Sequence, residues 1–327
     1  PVIIFFSAGM GLLYYWNIMP VIIRGFAWVF TRLMRISGAE SLCTASNIFV
    51  GIEATTAVRP YLAKMTRSEF CTILTAGMAT VASSTLGLYV LFLQDTFPTI
   101  AGHLISASIL SAPAAIVMSK ILVPEDGTPV TLGRQVRFTW ERESGAIEAV
   151  INGAMAGVKL VVGVCALLIA FLGLLAVLDL LLRGVGSCCG SQESWSLRGL
   201  LQYIMWPFAV LMGVPPSDAA LAGNMLGERL VATEIPAYAH LAEAMQNGAF
   251  AHPRSPVIIA YTLCGFAHVA SLAIFVGGIT ALVPQRRPDV AQVALRALLA
   301  ATLACLMVGA VAGIFYHSAA IYIQSGT

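Results

Sequence analysis

The sequence predicts an all-α integral membrane protein: a helical bundle with inverted repeats, two re-entrant helical hairpins and two interrupted transmembrane helices. Three observations predict it. The chain is 58% hydrophobic and only 10% charged, with a mean hydropathy of +0.86, whereas a soluble domain carries about 25% charged residues. Several runs reach the ~20 apolar residues needed to cross a bilayer, and no alternating strand pattern competes with them. Finally, Gly265-Phe266-Ala267-His268-Val269-Ala270-Ser271 is echoed upstream by Gly77-Met78-Ala79-Thr80-Val81-Ala82-Ser83 at five of seven positions. Two apolar segments that share one polar interruption imply a duplicated core.

A net charge of +2 is too small to imply nucleic acid, and the basic residues fall in connections, as helix-flanking Lys and Arg usually do. Seven cysteines show no Cys-x-x-Cys spacing, and most sit in apolar runs where a thiol behaves as a small hydrophobe. The Cys188-Cys189 pair reads as a connector. The chain opens on Pro1-Val2-Ile3-Ile4-Phe5-Phe6 with no charged leader or cleavage site, and is expected to have lost N-terminal membrane helices.

In chain order, residues 2–16 form an apolar helix. Residues 20–35 carry Arg24, Arg32 and Arg35 among Phe26, Trp28 and Phe30, the composition of a helix lying at the interface. Ser37-Gly38-Ala39-Glu40 and Thr66-Arg67-Ser68-Glu69 are capping boxes. The interval between them is broken by Asn47-Ile48-Phe49-Val50-Gly51, so two half-length helices meeting at a tip fill it better than one span. Glu53 stands just past that tip. A carboxylate facing lipid costs roughly 2.5 kcal/mol or more, so it faces a cavity or a partner, and Arg59, six residues on, is poorly placed to be that partner. Residues 70–94 form a helix interrupted by Thr80, Ser83, Ser84 and Thr85. The block 103–114 is small and packable, with His103 a cap or packing residue.

Residues 123–147, with Glu125, Asp126, Arg134, Arg137, Glu141, Arg142 and Glu143, make the largest solvated connection. Residues 150–182 form a long scaffold helix that must tilt, with Asp179 at the interface. The second half repeats the first: Pro215-Pro216-Ser217-Asp218 starts a helix capped at Ser217, Gly223-Asn224-Met225-Leu226-Gly227 breaks it, and Thr233-Glu234 follows. Glu234 lies seventeen residues after Ser217, and Glu53 sixteen after Ser37. Residues 255–284 carry the second interruption, and 291–316 form a final apolar helix.

Four broken elements near a bilayer midplane make an arrangement in which unwound backbone and helix ends bind a cation and a polar solute. Asn47, the carbonyls around Val50, Thr80 and the carbonyl of Val81 offer an all-oxygen environment suited to sodium. Glu53 and Glu234 can accept hydrogen bonds from a polyhydroxylated ligand, with Phe266 as a stacking face, Ser271 as a hydroxyl and His268 as a further contact. Either carboxylate could instead be neutral, which leaves proton coupling open. The His240-Leu241-Ala242-Glu243 spacing lacks further metal ligands and reads as a solvated helix end. No Gly-x-Ser-x-Gly, Walker or His-Glu-x-x-His motif supports an enzyme, and no cofactor is called for.

Several pieces resemble the concentrative nucleoside transporters: Ser37-Gly38-Ala39-Glu40-Ser41, Asn47-Ile48-Phe49-Val50-Gly51, Arg59-Pro60-Tyr61-Leu62, Met65-Thr66-Arg67-Ser68-Glu69, the block 103–114 running on to Pro124-Glu125, and Cys264-Gly265-Phe266-Ala267. The resemblance implies a plasma-membrane (cell inner membrane) multi-pass trimer in which an elevator-like domain carries a nucleoside of the uridine, cytidine or adenosine type with a cation, usually sodium. It also implies that about three N-terminal helices are absent. It assigns sodium to Asn47, Val50, Thr80 and Val81, the base to Gly51, Ile52, Glu53, Thr85 and Phe266, and the ribose to Glu234, His268 and Ser271. The division it implies is 1–36 (end of a scaffold helix plus interfacial helix), 37–122 (first transport-domain repeat), 123–149 (polar connection), 150–197 (long scaffold helix and loop) and 198–327 (second repeat). This chain departs from the family where Gly51-Ile52-Glu53 is one residue shorter and lacks an amide, where Thr233 precedes Glu234 in place of Asn, and where His268 replaces Asn. A membrane gate or assembly protein that does not pump, and a proton-coupled transporter of a related polar solute, are the alternatives.

Overall fold

An apolar helix α1 (Val2–Tyr15) meets α2 (Ile18–Met34) at an 80° bend. Asn17 makes the corner in the left-handed region, φ 62°, a conformation its short polar side chain tolerates. The computed structural model describes residues 2–134, 136, 143–188 and 196–316. Cys189 of the cysteine pair, and Arg137, Glu141 and Arg142 of the polar connection, lie outside the described residues.

α1 packs along α8 (Ala146–Cys188), which extends the helix expected over 150–182 in both directions to 43 residues. At 1.5 Å per residue it is ~64 Å long, about twice a hydrocarbon core, so it tilts or projects. The seam is built from small residues, and a Cβ at Gly153 would lie 2.6 Å from the Ser7 carbonyl oxygen. Backbone-to-backbone approach of this kind is how helices associate where burial from water gives no driving force.

The first half follows the capping boxes. Ser37 and Glu40 cap α3 (Gly38–Asn47), and Thr66 and Glu69 cap α5 (Arg67–Ala79), each by reciprocal side-chain and backbone bonds. The two boxes are joined, because the Ser37 hydroxyl donates to Glu69 Oε1 at 2.6 Å and Lys120 Nζ lies 2.6 Å from Glu40 Oε1. Where a second half-length α-helix is expected after residues 47–51, the chain forms a 3₁₀ segment, Ile52–Val58, leading into α4 (Arg59–Leu62). Thr55, Thr56 and Val58 are stiff at χ1 and Pro60 lacks an N–H, so a regular α-helix is disfavoured there. α5 stops at Thr80, and α6 (Ser83–Leu93) begins after three non-helical residues. α7 (Ile100–Leu122) follows. On it His103 packs rather than caps: the N-cap is Thr99, and its ring lies 4.9 Å from Phe97 with Nδ1 3.1 Å from the Tyr261 hydroxyl.

In the second half α9 (Leu197–Leu211) starts where Asp179 Oδ1 accepts from the Leu197 amide at 2.7 Å, tying it to α8. α10 (Pro216–Val231) corrects two expectations. It runs unbroken through residues 223–227, because those glycines serve close packing rather than chain reversal: a Cβ at Gly223 would meet the Gln202 carbonyl oxygen at 2.8 Å. Ser217 is not the cap. The N-cap position is Pro215, and the neighbouring Asp218 turns its carboxylate to the Ala251 and His252 amides and the Ser255 hydroxyl. The similar Ser37–Glu53 and Ser217–Glu234 spacings are therefore not matched caps. The chain reverses at residues 232–233 instead, where Thr233 has φ 119° and ψ 173°.

α11 (Glu234–Gln246) follows. His240 stands within it rather than at a solvated end, with Nδ1 2.5 Å from Oε2 of the fully buried Glu228. That partner explains its place, since a buried carboxylate needs hydrogen-bonding company. α12 (Arg254–Leu263), a break over 264–268, α13 (Val269–Leu282) and α14 (Arg287–Ile314) complete the bundle. α14 packs on α5, α7 and α12 and centres the core. By length and apolar composition α7, residues 146–163 of α8 and Pro284–Ile314 can each cross a membrane.

Two predictions follow from backbone geometry. Gly153→Ala drives a methyl into the Ser7 carbonyl and lowers the melting temperature in detergent, with an overpacking cost of about 1–3 kcal/mol; Gly163→Ala, which meets nothing within 4 Å, leaves it unchanged or raises it. Thr233→Gly removes a β-branched side chain from a backbone region that is essentially glycine-only, and raises stability by about 1–3 kcal/mol in the same assay.

Candidate functional site

A cavity of about 410 Å³ opens where the broken elements converge, within the roughly 300–1,000 Å³ range of small-molecule sites. Val50, Gly51 and Glu53 reach it from the loop between α3 and the 3₁₀ segment and from the start of that segment, Ala82 and Thr85 from the junction of α5 and α6, Thr233 and Glu234 from the reversal between α10 and α11, and Phe266, His268 and Ser271 from the junction of α12 and α13. The two sequence echoes cross here. A Cβ at Gly265 would lie 2.7 Å from the Ala79 carbonyl oxygen, and Gly77 lies directly under the Phe275 ring, so the shared glycine is a contact requirement in both copies.

His268 caps α13. The Ser271 amide donates to His268 Nδ1 at 3.2 Å, so Nδ1 is an acceptor and the ring carries its proton on Nε2. Nε2 faces Glu234 Oε2 at 3.1 Å. The pair thus presents one donor and one carboxylate oxygen side by side, both more than nine-tenths buried. Ser271 completes the capping box, its hydroxyl donating to the carbonyls of Phe266 and His268. Phe266 stands edge-on to the imidazole at 6.4 Å between ring centres. Ile52 begins the 3₁₀ segment between Gly51 and Glu53.

The residues read as an oxygen cluster lie behind this wall. Asn47, Thr80 and Val81 are buried beside the cavity, and Val50 alone of the four lines it. The Ser83 amide donates to the Phe49 carbonyl at 3.1 Å, closing the hairpin tip onto the start of α6 with Asn47 and Val50 on one side of the bond and Thr80 and Val81 on the other. Asn47 Oδ1 is buried with no hydrogen-bond partner among the described residues. An orphaned amide oxygen beside a broken helix end fits a hard cation, which oxygen ligands suit.

Sequence reasoning missed four features. Ser7, Tyr14, Tyr15 and Asn152 form the far wall from α1 and α8, which the sequence marks only as scaffold; Asn152 is the available signal, an amide inside an apolar helix. Thr233 brings a buried hydroxyl without a partner among the described residues. Glu143, from the polar connection, adds a third carboxylate to Glu53 and Glu234, and no Lys or Arg is among the described lining residues. The fully buried Tyr89 donates its hydroxyl to Glu234 Oε1 at 2.8 Å.

The chain matches a family described as Na+ dependent nucleoside transporter C-terminus over residues 103–313, and one described as Gate: Nucleoside recognition over residues 1–96. It is 36% identical over 328 residues to solute carrier family 28 member 3 of Homo sapiens, covering 96% of this chain and 46% of that protein. It is 38% identical over 317 residues to the uncharacterized transporter YutK of Bacillus subtilis, covering 96% of this chain and 76% of that protein. The chain therefore spans about half the length of the mammalian relatives it matches. The solved structure of CNTnw in an inward-facing substrate-bound state superposes with a TM-score of 0.86 at 34% identity, covering 96% of this chain and 73% of that one. Matched over most of its length by that family and by relatives of the same fold, the chain belongs to the concentrative, sodium-dependent nucleoside transporter family and is a multi-pass membrane protein.

Proposed function

We propose that the protein imports nucleosides across the plasma membrane by cation symport, with sodium as the coupling ion, through elevator-type alternating access. One observation carries the reading: both helix breaks and both hairpin carboxylates open into a single 410 Å³ cavity, whose far wall comes from α1 and α8. In this reading residues 37–66 and 215–246 act as re-entrant hairpins of two inverted repeats, and α5–α6 and α12–α13 as interrupted transmembrane helices. α1 and α8 belong to a scaffold that assembles as a homotrimer. The Gly153 seam supports treating α1 and α8 as one rigid unit.

The solute side divides by chemistry. The flat base is assigned to residues 51–53, Thr85 and the ring of Phe266. The sugar is assigned to the Glu234–His268 pair, where the Nε2–H donates to one hydroxyl and Oε2 accepts from its neighbour; Ser271 holds the imidazole in that tautomer. Three carboxylates and no lysine or arginine among the described lining residues oppose an anion, which favours neutral nucleosides over nucleotides. Sodium is assigned to Asn47, Val50, Thr80 and Val81, on the support of the orphaned Asn47 Oδ1.

The expected result is uptake of uridine, cytidine or adenosine into proteoliposomes that rises with an inward sodium gradient and is not inhibited by nucleoside monophosphates. Glu234→Ala removes a charged acceptor and weakens uptake about 10–100-fold, and Asn47→Ala raises the sodium concentration needed for half-maximal uptake. Uptake driven by a proton gradient and indifferent to sodium selects proton coupling instead. Binding of no nucleoside, with co-purifying partner proteins, selects a gate that does not pump.

A further inference from the structure

Glu234 is held from two sides, and only one of its partners faces the cavity. His268 Nε2 approaches Oε2, whereas Oε1 accepts from Tyr89, a side chain on α6 that is absent from the cavity lining. Tyr89 is fully buried and stacked on Tyr238 at 4.5 Å between ring centres with an interplanar angle of 19°. Tyr238, from α11, donates its own hydroxyl at 2.7 Å to the Ala260 carbonyl on α12. The stack therefore clamps the second half of one broken helix to the second hairpin and to the first half of the other broken helix.

This geometry has a consequence for the carboxylate. An unrestrained glutamate at the first turn of α11 could rotate about its last torsion, which is broad and roughly two-fold, and present either oxygen. The Tyr89 hydroxyl removes that freedom by occupying Oε1, so Oε2 is the oxygen left beside His268. A buried tyrosine hydroxyl needs an acceptor, and a carboxylate oxygen makes a short, charge-assisted one.

We propose that Tyr89 is the positioning residue that makes the site selective for a sugar carrying neighbouring hydroxyls, by fixing the Glu234 carboxylate so that Oε2, which accepts no hydrogen bond among the described residues, stands beside His268 Nε2–H as a two-point receptor. The inference rests on the nucleoside reading above. Tyr89 itself touches no solute; it acts through Glu234.

The test compares uptake of a nucleoside with that of its 2′-deoxy and 3′-deoxy counterparts by the whole protein in proteoliposomes. Tyr89→Phe keeps the ring stack and deletes only the O–H. It is expected to raise KM for the riboside about tenfold with little change in maximal rate, and to leave the deoxy compounds nearly unaffected, so that the riboside preference collapses. Tyr238→Phe, which loses the bond to Ala260 but not the contact with Glu234, is expected to keep the wild-type preference. An unchanged preference in Tyr89→Phe, or an equal loss in Tyr238→Phe, overturns the inference and assigns the pair to packing alone. Should Tyr89→Phe not fold, replacement of Tyr89 by 3-fluorotyrosine alters the strength of the O–H donor at nearly constant shape, and an unchanged preference there overturns it as well. Failure of the wild-type protein to take up any nucleoside sinks the functional reading instead, which keeps the two outcomes apart.

Discussion

A helix that ends inside a packed apolar bundle leaves backbone N–H and C=O groups that water cannot reach, and the bonds at the two helix breaks of this fold answer that constraint. At the α5–α6 break the Ser83 amide reaches the Phe49 carbonyl in the loop after α3. At the α12–α13 break His268 and Ser271 cap each other's amides. The two breaks cross through Gly265 against the Ala79 carbonyl, an approach that a Cβ on residue 265 would block. The loop after α3 thereby becomes part of the hydrogen bonding of α6, whereas the α12–α13 break is finished by its own residues, and the Thr233 hydroxyl and Glu234 Oε2 are left without hydrogen-bond partners among the described residues at the cavity.

The same constraint accounts for the site's polarity. A polar atom recruited to finish a helix is not free for a solute, and Ser271 is the clear case, its hydroxyl directed to backbone carbonyls. His268 is divided: its Nδ1 serves α13 while its Nε2–H faces Glu234. What remains for a ligand is a donor beside a carboxylate, a partly buried aromatic edge and the acidic approach formed by Glu53 and Glu143. A low-dielectric surrounding strengthens such interactions and raises the cost of leaving any of them unmade.

A reciprocal capping box is legible because both partners lie within one turn, whereas the expected Ser217 cap fails because Pro215 takes the N-cap position and Asp218 turns to residues 251–255. Both capping boxes stand where Ser37-Gly38-Ala39-Glu40 and Thr66-Arg67-Ser68-Glu69 put them, and both helix interruptions fall inside the repeated seven-residue stretch. The glycines at 223 and 227 were misread because a glycine signals either a turn or a close contact, and only the position of α9 decides between them. The setting of His240 is hidden for the same reason: its partner Glu228 is twelve residues earlier, on α10. Tyr89 gave no signal, since an isolated tyrosine in an apolar run is compatible with any buried acceptor.

The sequence by itself determined the helical membrane class, both capping boxes and the places where α5 gives way to α6 and α12 to α13, because hydropathy, capping and a repeated motif are properties of neighbouring residues; the reversal between α10 and α11 it did not determine. Only the tertiary structure decided which oxygen of Glu234 faces the cavity, which nitrogen of His268 carries the proton, and that α1 and α8 close the far wall. Those outcomes depend on contacts between residues as far apart as Tyr89 and Glu234, set by how helices cross. Crossing is governed by backbone approach at a few small residues, and the sequence records that glycines are present there without recording what they touch.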